Sequence, residues 1–305
     1  MRTVIAIPAD THCGSTLGLM TPKPLVVSDE NTISPSPAQK IIWKQWEHNW
    51  QAVAEERRKS RLIIVQAGDP VEGMHHESPQ IMTMREDEHV TIAIHCYDWA
   101  LRKAKFDSGK GDRYYQIAGT EAHGGVGSRA EEALARDFRN KGDKTNGVVP
   151  VWEKQVFDDD EDQDIIQGKY TWGGLRRKVN GVLFDIAHHG ASVGSRAWTT
   201  ANQLQNTIKS IYWECLNNKK EIPRYWIRAH YHQYVHAYYE DKQGIIEGFV
   251  LPSFQLPGSN YVRRYKGNSL MLADIGMVYW VVEEDGRSYF KPDYITVESD
   301  KVEEF

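Results

Sequence analysis

Short apolar runs punctuate this chain, and most of the early ones end in a polar cluster. The runs TVIAIPA (3–9), RLIIVQA (61–67), RYYQIA (113–118), GVLFDIA (181–187) and RYWIR (224–228) are rich in β-branched and aromatic residues. Their length and composition predict buried strands. Between them the period changes. Trp43, Trp46, Trp50 and Val53 step by three or four positions, which predicts a helix over 38–59 with its tryptophans on one core-facing side. A second helix is expected over 79–105, ending in a basic stretch at Arg102 and Lys103 that suits the negative end of a helix dipole. Ser128 and Glu131 have capping-box spacing, with Ser128 as N-cap and Glu131 reaching back to open a third helix. A further helix is expected over 198–216.

Strand and helix therefore alternate through the first half, the order of a layered α/β sheet. After residue 234 the chain turns mostly to strand, with YVHAYYE, GIIEGFVL, GMVYWVVEE and SYFKPDYITV. Asp285-Gly286 is a hairpin signal between the last two. Residues 14–37, with PKP and SPSP, read as a long loop. There is no internal repeat and no linker. A single domain over 1–305 is expected, with a core at 3–235 and a β-rich part at 236–305 that completes a second sheet.

Composition narrows the class. Hydrophobic residues are 40% and charged residues 26% of the 305, which fits a globular protein. The net charge of −5 argues against a global attraction to nucleic acid. The basic stretches Arg176-Arg177-Lys178 and Arg263-Arg264-Tyr265-Lys266, and the acidic run 158–162, read as solvated loop charges. The three cysteines, Cys13, Cys96 and Cys215, have no paired spacing, so no disulfide framework is expected. Cys13 reads as a small buried hydrophobe. Without a leader pattern or a run of membrane-spanning length, a cytoplasmic protein with no membrane partner is expected.

The chemistry sits at the strand ends. Asp10-Thr11-His12, Gly68-Asp69, Gly119-Thr120-Glu121-Ala122-His123, His188-His189-Gly190 and Ala229-His230-Tyr231-His232 each follow one of the early runs. Polar residues at the carboxyl ends of several strands build a site in the crevice above an α/β sheet. Asp and His together are the ligand types of Mn²⁺, Fe and Zn²⁺. The residues alone point to a metallohydrolase.

Taken in order, these motifs resemble the calcineurin-like metallophosphoesterase superfamily, over roughly residues 3 to 235. The wording DTHCGSTLGL, GDPVEGMHH, GTEAHGG and HHGASVGSR further resembles phage- or prophage-encoded members. The resemblance implies a four-layer α/β/β/α sandwich of two mixed β-sheets flanked by helices. It also implies two divalent transition-metal ions, Mn²⁺ first, with Fe, Zn²⁺ or Ni²⁺ compatible with the same donors. Carried over residue by residue, Asp10, His12 and His232 hold the first metal, Asp69 bridges, and His188 and His230 hold the second. His189 is the alternative to His188. The nucleophile implied is a water activated by the metal pair.

The third motif departs from the family pattern. Thr120 stands where an Asn ligand is usual, and the following His is displaced to His123. Thr120 is thus a candidate weak ligand of the second metal, and His123 the candidate acid. Glu121, His75, His76 and His189 are candidates for substrate contact. The function expected is a phosphodiesterase or nuclease acting on nucleic acid or nucleotides. A small-molecule phosphomonoesterase is the alternative within the class. A non-catalytic scaffold that kept the fold is the alternative outside it.

Overall fold

The structure is a computed structural model, and it describes residues 1–28, 31–74, 80–141, 147–149, 169–190, 192–194, 199–257 and 272–298. In chain order come β1 (Thr3–Ile7), the short ribbon β2 (Leu25–Val26) and β3 (Thr32–Ile33), α1 (Pro37–Arg57), β4 (Arg61–Gln66), α2 (Glu86–Lys103) and β5 (Arg113–Ile117). Then follow α3 (Glu121–Gly124), α4 (Arg129–Lys141), β6 (Thr171–Trp172), β7 (Leu175–Val179), β8 (Val182–Ile186) and α5 (Asn202–Asn217). The chain closes with β9 (Tyr225–Arg228), β10 (Val235–Asp241), β11 (Gly244–Val250), β12 (Leu272–Val282) and β13 (Ser288–Glu298).

Two mixed sheets result. One has the order β13-β12-β1-β4-β5-β6, and the other β10-β11-β9-β8-β7. In the first, β1, β4, β5 and β6 run parallel. In the second, β8, β9 and β11 do. Parallel strands need both faces covered, and the strand alternation shows how this is met. Ile5, Ile7, Ile63, Val65, Val278 and Trp280 face across to Phe184, Ile186, Tyr225, Ile227 and Phe249, forming the core between the sheets. The alternate residues Val4, Ala6, Leu62, Ile64 and Met277 point the other way, onto the tryptophan face of α1 and onto α2 and α4. On the far side of the second sheet, Trp226, Ile246 and Val250 pack against Leu204, Ile208 and Tyr212 of α5. The layers are α/β/β/α, as expected.

The helix ends follow local chemistry. Ser36 Oγ accepts from Gln39 N at 3.1 Å while Gln39 Oε1 accepts from Ser36 N at 2.8 Å, so a full capping box and Pro37 start α1. α2 begins at Glu86 and not near residue 79, because the acidic turn Glu86-Asp87-Glu88 suits a helix N-terminus.

Three expectations need correction. The C-terminal strands do not all complete the second sheet. β10 and β11 do, but β12 runs antiparallel to β1 and β13 lies outside it, in the first sheet. Arg176, Arg177 and Lys178 lie on edge strand β7 and not in a loop; Arg176 faces Asp185 at 3.6 Å and Lys178 pairs with Glu221 at 2.7 Å. Glu131 does not reach back to Ser128, whose N–H donates to the Gly125 carbonyl instead. Glu131 Oε1 accepts from Gly119 N at 3.1 Å, and the side chain is buried under the third motif. The run 158–162 and the stretch 263–266 lie outside the described residues.

Candidate metal centre

The parallel strands carry their motifs to one edge, where both sheets contribute. Asp10 and His12 follow β1, Asp69 follows β4, Thr120 and His123 follow β5, His188 follows β8, and His230 and His232 follow β9. Close backbone approach packs these turns together. A Cβ on Gly68, whose φ is +93°, would lie 2.4 Å from His188 Nδ1. A Cβ on Gly119 would lie 2.1 Å from Asp69 Oδ1. Glycine is required at both positions.

The candidate ligands are themselves strained. Asp10, His12, Asp69, His230 and His232 have φ values of 48°, 42°, 50°, 75° and 54°. Left-handed backbone at non-glycine residues costs about 1–3 kcal/mol each and collects at functional sites. This signal is invisible in the sequence, where Asp and His are only the residue types that tolerate it best.

The donors converge. Asp10, His12 and His232 lie with one ligand atom each within 4.8 Å of one another, as do Asp10, Asp69 and His188, and as do His188, His189 and His230. His12 Nε2 and His232 Nε2 are 3.2 Å apart. Asp69 Oδ2 is 3.0 Å from His188 Nε2. Asp69 also belongs to a group with His12 and His123, so it stands between the two halves of the cluster. Asp10 Oδ1 is buried with no hydrogen-bond partner. Facing it are the Nε2 atoms of His232 at 3.4 Å, His12 at 3.9 Å and His188 at 4.0 Å. A buried carboxylate oxygen ringed by imidazole nitrogens is a donor set that fits a divalent cation.

Surrounding groups fix which nitrogen points inward. His188 Nδ1 meets the Ala67 carbonyl at 2.8 Å, so Nε2 faces the carboxylates. His12 Nδ1 lies 3.0 Å from Glu72 Oε2, and Gln255 Nε2 donates to that same oxygen at 2.8 Å. His123 Nδ1 meets the Glu72 carbonyl at 2.6 Å, leaving Nε2 4.0 Å from Asp69 Oδ2. Glu72 thus touches two histidines, its carboxylate beside His12 Nδ1 and its carbonyl on His123 Nδ1. Sequence reasoning missed it; its signal is an acid three residues beyond Asp69 in GDPVEG.

Charge coupling is strong. Burial opposes ionisation of Asp69, yet the hydrogen bond and charge of His188 hold its carboxyl far below the usual range. Asp10 is likewise lowered against burial, by the charges of His232 and His188. Burial would lower His188, but Asp10 and Asp69 outweigh it and push its pKa up to about 9. His230 moves the other way, down to about 4, through burial and the charge of His188. His189 is lowered by the same two causes. Burial and the neighbouring charge of His188 thus favour the neutral forms of His230 and His189, whose nitrogen lone pairs can act as ligand donors.

Not every candidate joins the cluster. Thr120 donates twice to the carboxylate beside it, from N to Asp69 Oδ1 at 2.6 Å and from Oγ1 to Asp69 Oδ2 at 3.1 Å. Its Oγ1 is also 3.3 Å from His188 Nε2 and 3.4 Å from His230 Nδ1. Glu121 is exposed at the start of α3 and belongs to none of the donor groups among the described residues. His75 and His76 lie outside the described residues. Cys13 is fully buried, as its reading as a hydrophobe requires.

No family model matches the chain. Nor does any curated protein sequence match it. Among solved structures, similar chains include a conserved uncharacterised protein of Streptococcus pneumoniae described as a predicted phosphoesterase, with a TM-score of 0.26, 9% identity and 98% of both chains covered. Vacuolar protein sorting 29 of Cryptosporidium parvum has a TM-score of 0.34 and 8% identity, covering 98% of this chain and 99% of that one. A dimetal phosphatase of Danio rerio has a TM-score of 0.36 and 9% identity over the same shares. Likenesses this distant carry no argument about function, which rests on the donor set and its geometry.

Proposed function

We propose that this protein is a metal-dependent phosphoester hydrolase whose centre takes two divalent ions, and that its substrates are phosphodiesters of the nucleotide or nucleic-acid class. The observation that carries the reading is the orphaned, buried Asp10 Oδ1 within 4.0 Å of three imidazole nitrogens, beside Asp69 in a second donor group. Asp10, His12 and His232 would hold one ion, His188 and His230 the other, and Asp69 both. When bound, such a pair polarises phosphate oxygens and lowers the pKa of a water so that it can attack phosphorus in line.

The chain's own groups do the rest. Thr120 fixes Asp69 through two donated hydrogen bonds and so sets the direction of both carboxylate oxygens. Glu72 fixes His12. His123 is held at Nδ1 and presents Nε2 to the cluster. As the bond from phosphorus to the leaving oxygen breaks, His123, starting as the imidazolium, gives its Nε2 proton to that oxygen and is left as the neutral ring whose Nδ1–H stays on the Glu72 carbonyl.

The test is a substrate panel with added Mn²⁺: bis(p-nitrophenyl) phosphate, p-nitrophenyl phosphate, cyclic nucleotides, and single- and double-stranded DNA, each with a chelator control. Chelator-sensitive turnover of the diesters is expected. Turnover of the monoester alone would move the substrate class to phosphomonoesters. Tight metal binding with no turnover of any substrate would point to the scaffold reading.

A further inference from the structure

The two halves of the centre are not equally supplied with donors. Asp10, His12 and His232 form a complete group on one side, with Asp69 beside them. On the other side His188 and His230 are joined by Thr120, a neutral hydroxyl whose one proton is already given to Asp69 Oδ2 at 3.1 Å. An alcohol oxygen is a poor donor to a borderline transition metal compared with an imidazole. A third imidazole is nevertheless present. The His189 ring centroid lies 4.7 Å from that of His188 and 4.8 Å from that of His230. One nitrogen from each of the three falls within 4.8 Å of the others.

We propose that His189 is a ligand of the second metal, so that this half of the centre is a three-imidazole site closed by Asp69. The inference rests on the dinuclear reading above. It gives two consecutive residues of one turn, His188 and His189, to the same ion from two directions. His188 comes from the buried side and His189 from the exposed side. Three neutral imidazoles and one carboxylate leave the second ion with more net positive charge than the first, which has two carboxylates. The second half therefore favours metals that prefer nitrogen, such as Zn²⁺, Fe or Ni²⁺, while the first accepts Mn²⁺ readily.

The deciding experiment is metal binding by His189→Ala, followed by calorimetric titration and by elemental analysis after dialysis. X-ray absorption at the metal edge gives an independent count of imidazole donors. His189 is exposed, so the substitution leaves the fold intact. The native protein should hold two ions. His189→Ala should keep the tight first ion, lose affinity for the second by about 100-fold, and show fewer imidazoles per metal. Two ions bound with unchanged affinity, together with a raised KM, would make His189 a substrate contact and overturn the proposal while leaving the dinuclear reading intact. Failure of the native protein to bind two ions would instead remove the reading on which the proposal stands.

Discussion

At the scale of single residues, the site is organised around one carboxylate. Asp69 is buried, accepts two hydrogen bonds from Thr120 and touches His188. Asp69→Asn keeps the shape and removes the charge, so both halves of the centre should suffer together. Turnover should fall below detection with circular dichroism unchanged, and near-normal turnover would show that Asp69 is not shared. His123 is expected to behave differently. It sits edge-on to His12 with centroids 4.5 Å apart and lies within ligand reach of Asp69 and His12. As a proton donor its loss should lower kcat by about 10²–10⁴-fold with metal content unchanged. The deficit of His123→Ala should shrink for p-nitrophenolate esters, whose leaving group needs little protonation. Loss of bound metal in that variant would make His123 a ligand.

At the scale of elements, the loop after β5 rests on a carboxyl delivered by α4. Glu131 is fully buried, accepts from Gly119 N, and leaves Oε2 without a hydrogen-bond partner. Burial, helped by the charge of Asp69, pushes its pKa up from 4.5 to about 7. The folded state thus binds this proton more tightly than the unfolded chain. The stabilisation is fully present below pH 4.5 and is lost as pH rises through 7. Glu131→Gln keeps an acceptor for Gly119 N and cannot ionise. Urea unfolding across this window should show native stability declining relative to the variant by on the order of 2–3 kcal/mol. Parallel pH curves for the two proteins would mean that Glu131 is ionised throughout. The capping-box spacing of Ser128 and Glu131 could not reveal this role. Local spacing says where a carboxylate can reach along its own helix, whereas Gly119 lies in the loop after β5. The α1 tryptophans were legible for the opposite reason. Trp43, Trp46 and Trp50 share one face by period alone, and that face had to be buried.

At the scale of the whole molecule, alternation revealed the layers but not the partners. Strand β12 reads in sequence as one more C-terminal strand. Its place beside β1 depends on residues far apart in the chain, Thr3 against Val282 and Ile7 against Val278. No local pattern encodes that pairing. The convergence of the five motifs was legible because parallel strands in a layered sheet end on one edge. The left-handed turns at the candidate ligands were not, since positive φ at Asp10, His12, Asp69, His230 and His232 is a conformation their residue types permit but do not encode. The proposed centre would also tie metal to global stability. Asp10, His12 and Asp69 follow strands of one sheet, and His188, His230 and His232 follow strands of the other. A cation shared among them would clamp the two sheets across their common core. Ligand binding to the native state alone adds about 2.7 kcal/mol at a hundredfold excess over Kd. Scanning calorimetry should therefore show a single unfolding transition that moves up with added Mn²⁺ and down with chelator. In Asp69→Asn the upward shift should shrink sharply. Two transitions, only one of them metal-sensitive, would show that the sheets unfold separately and that the centre does not join them.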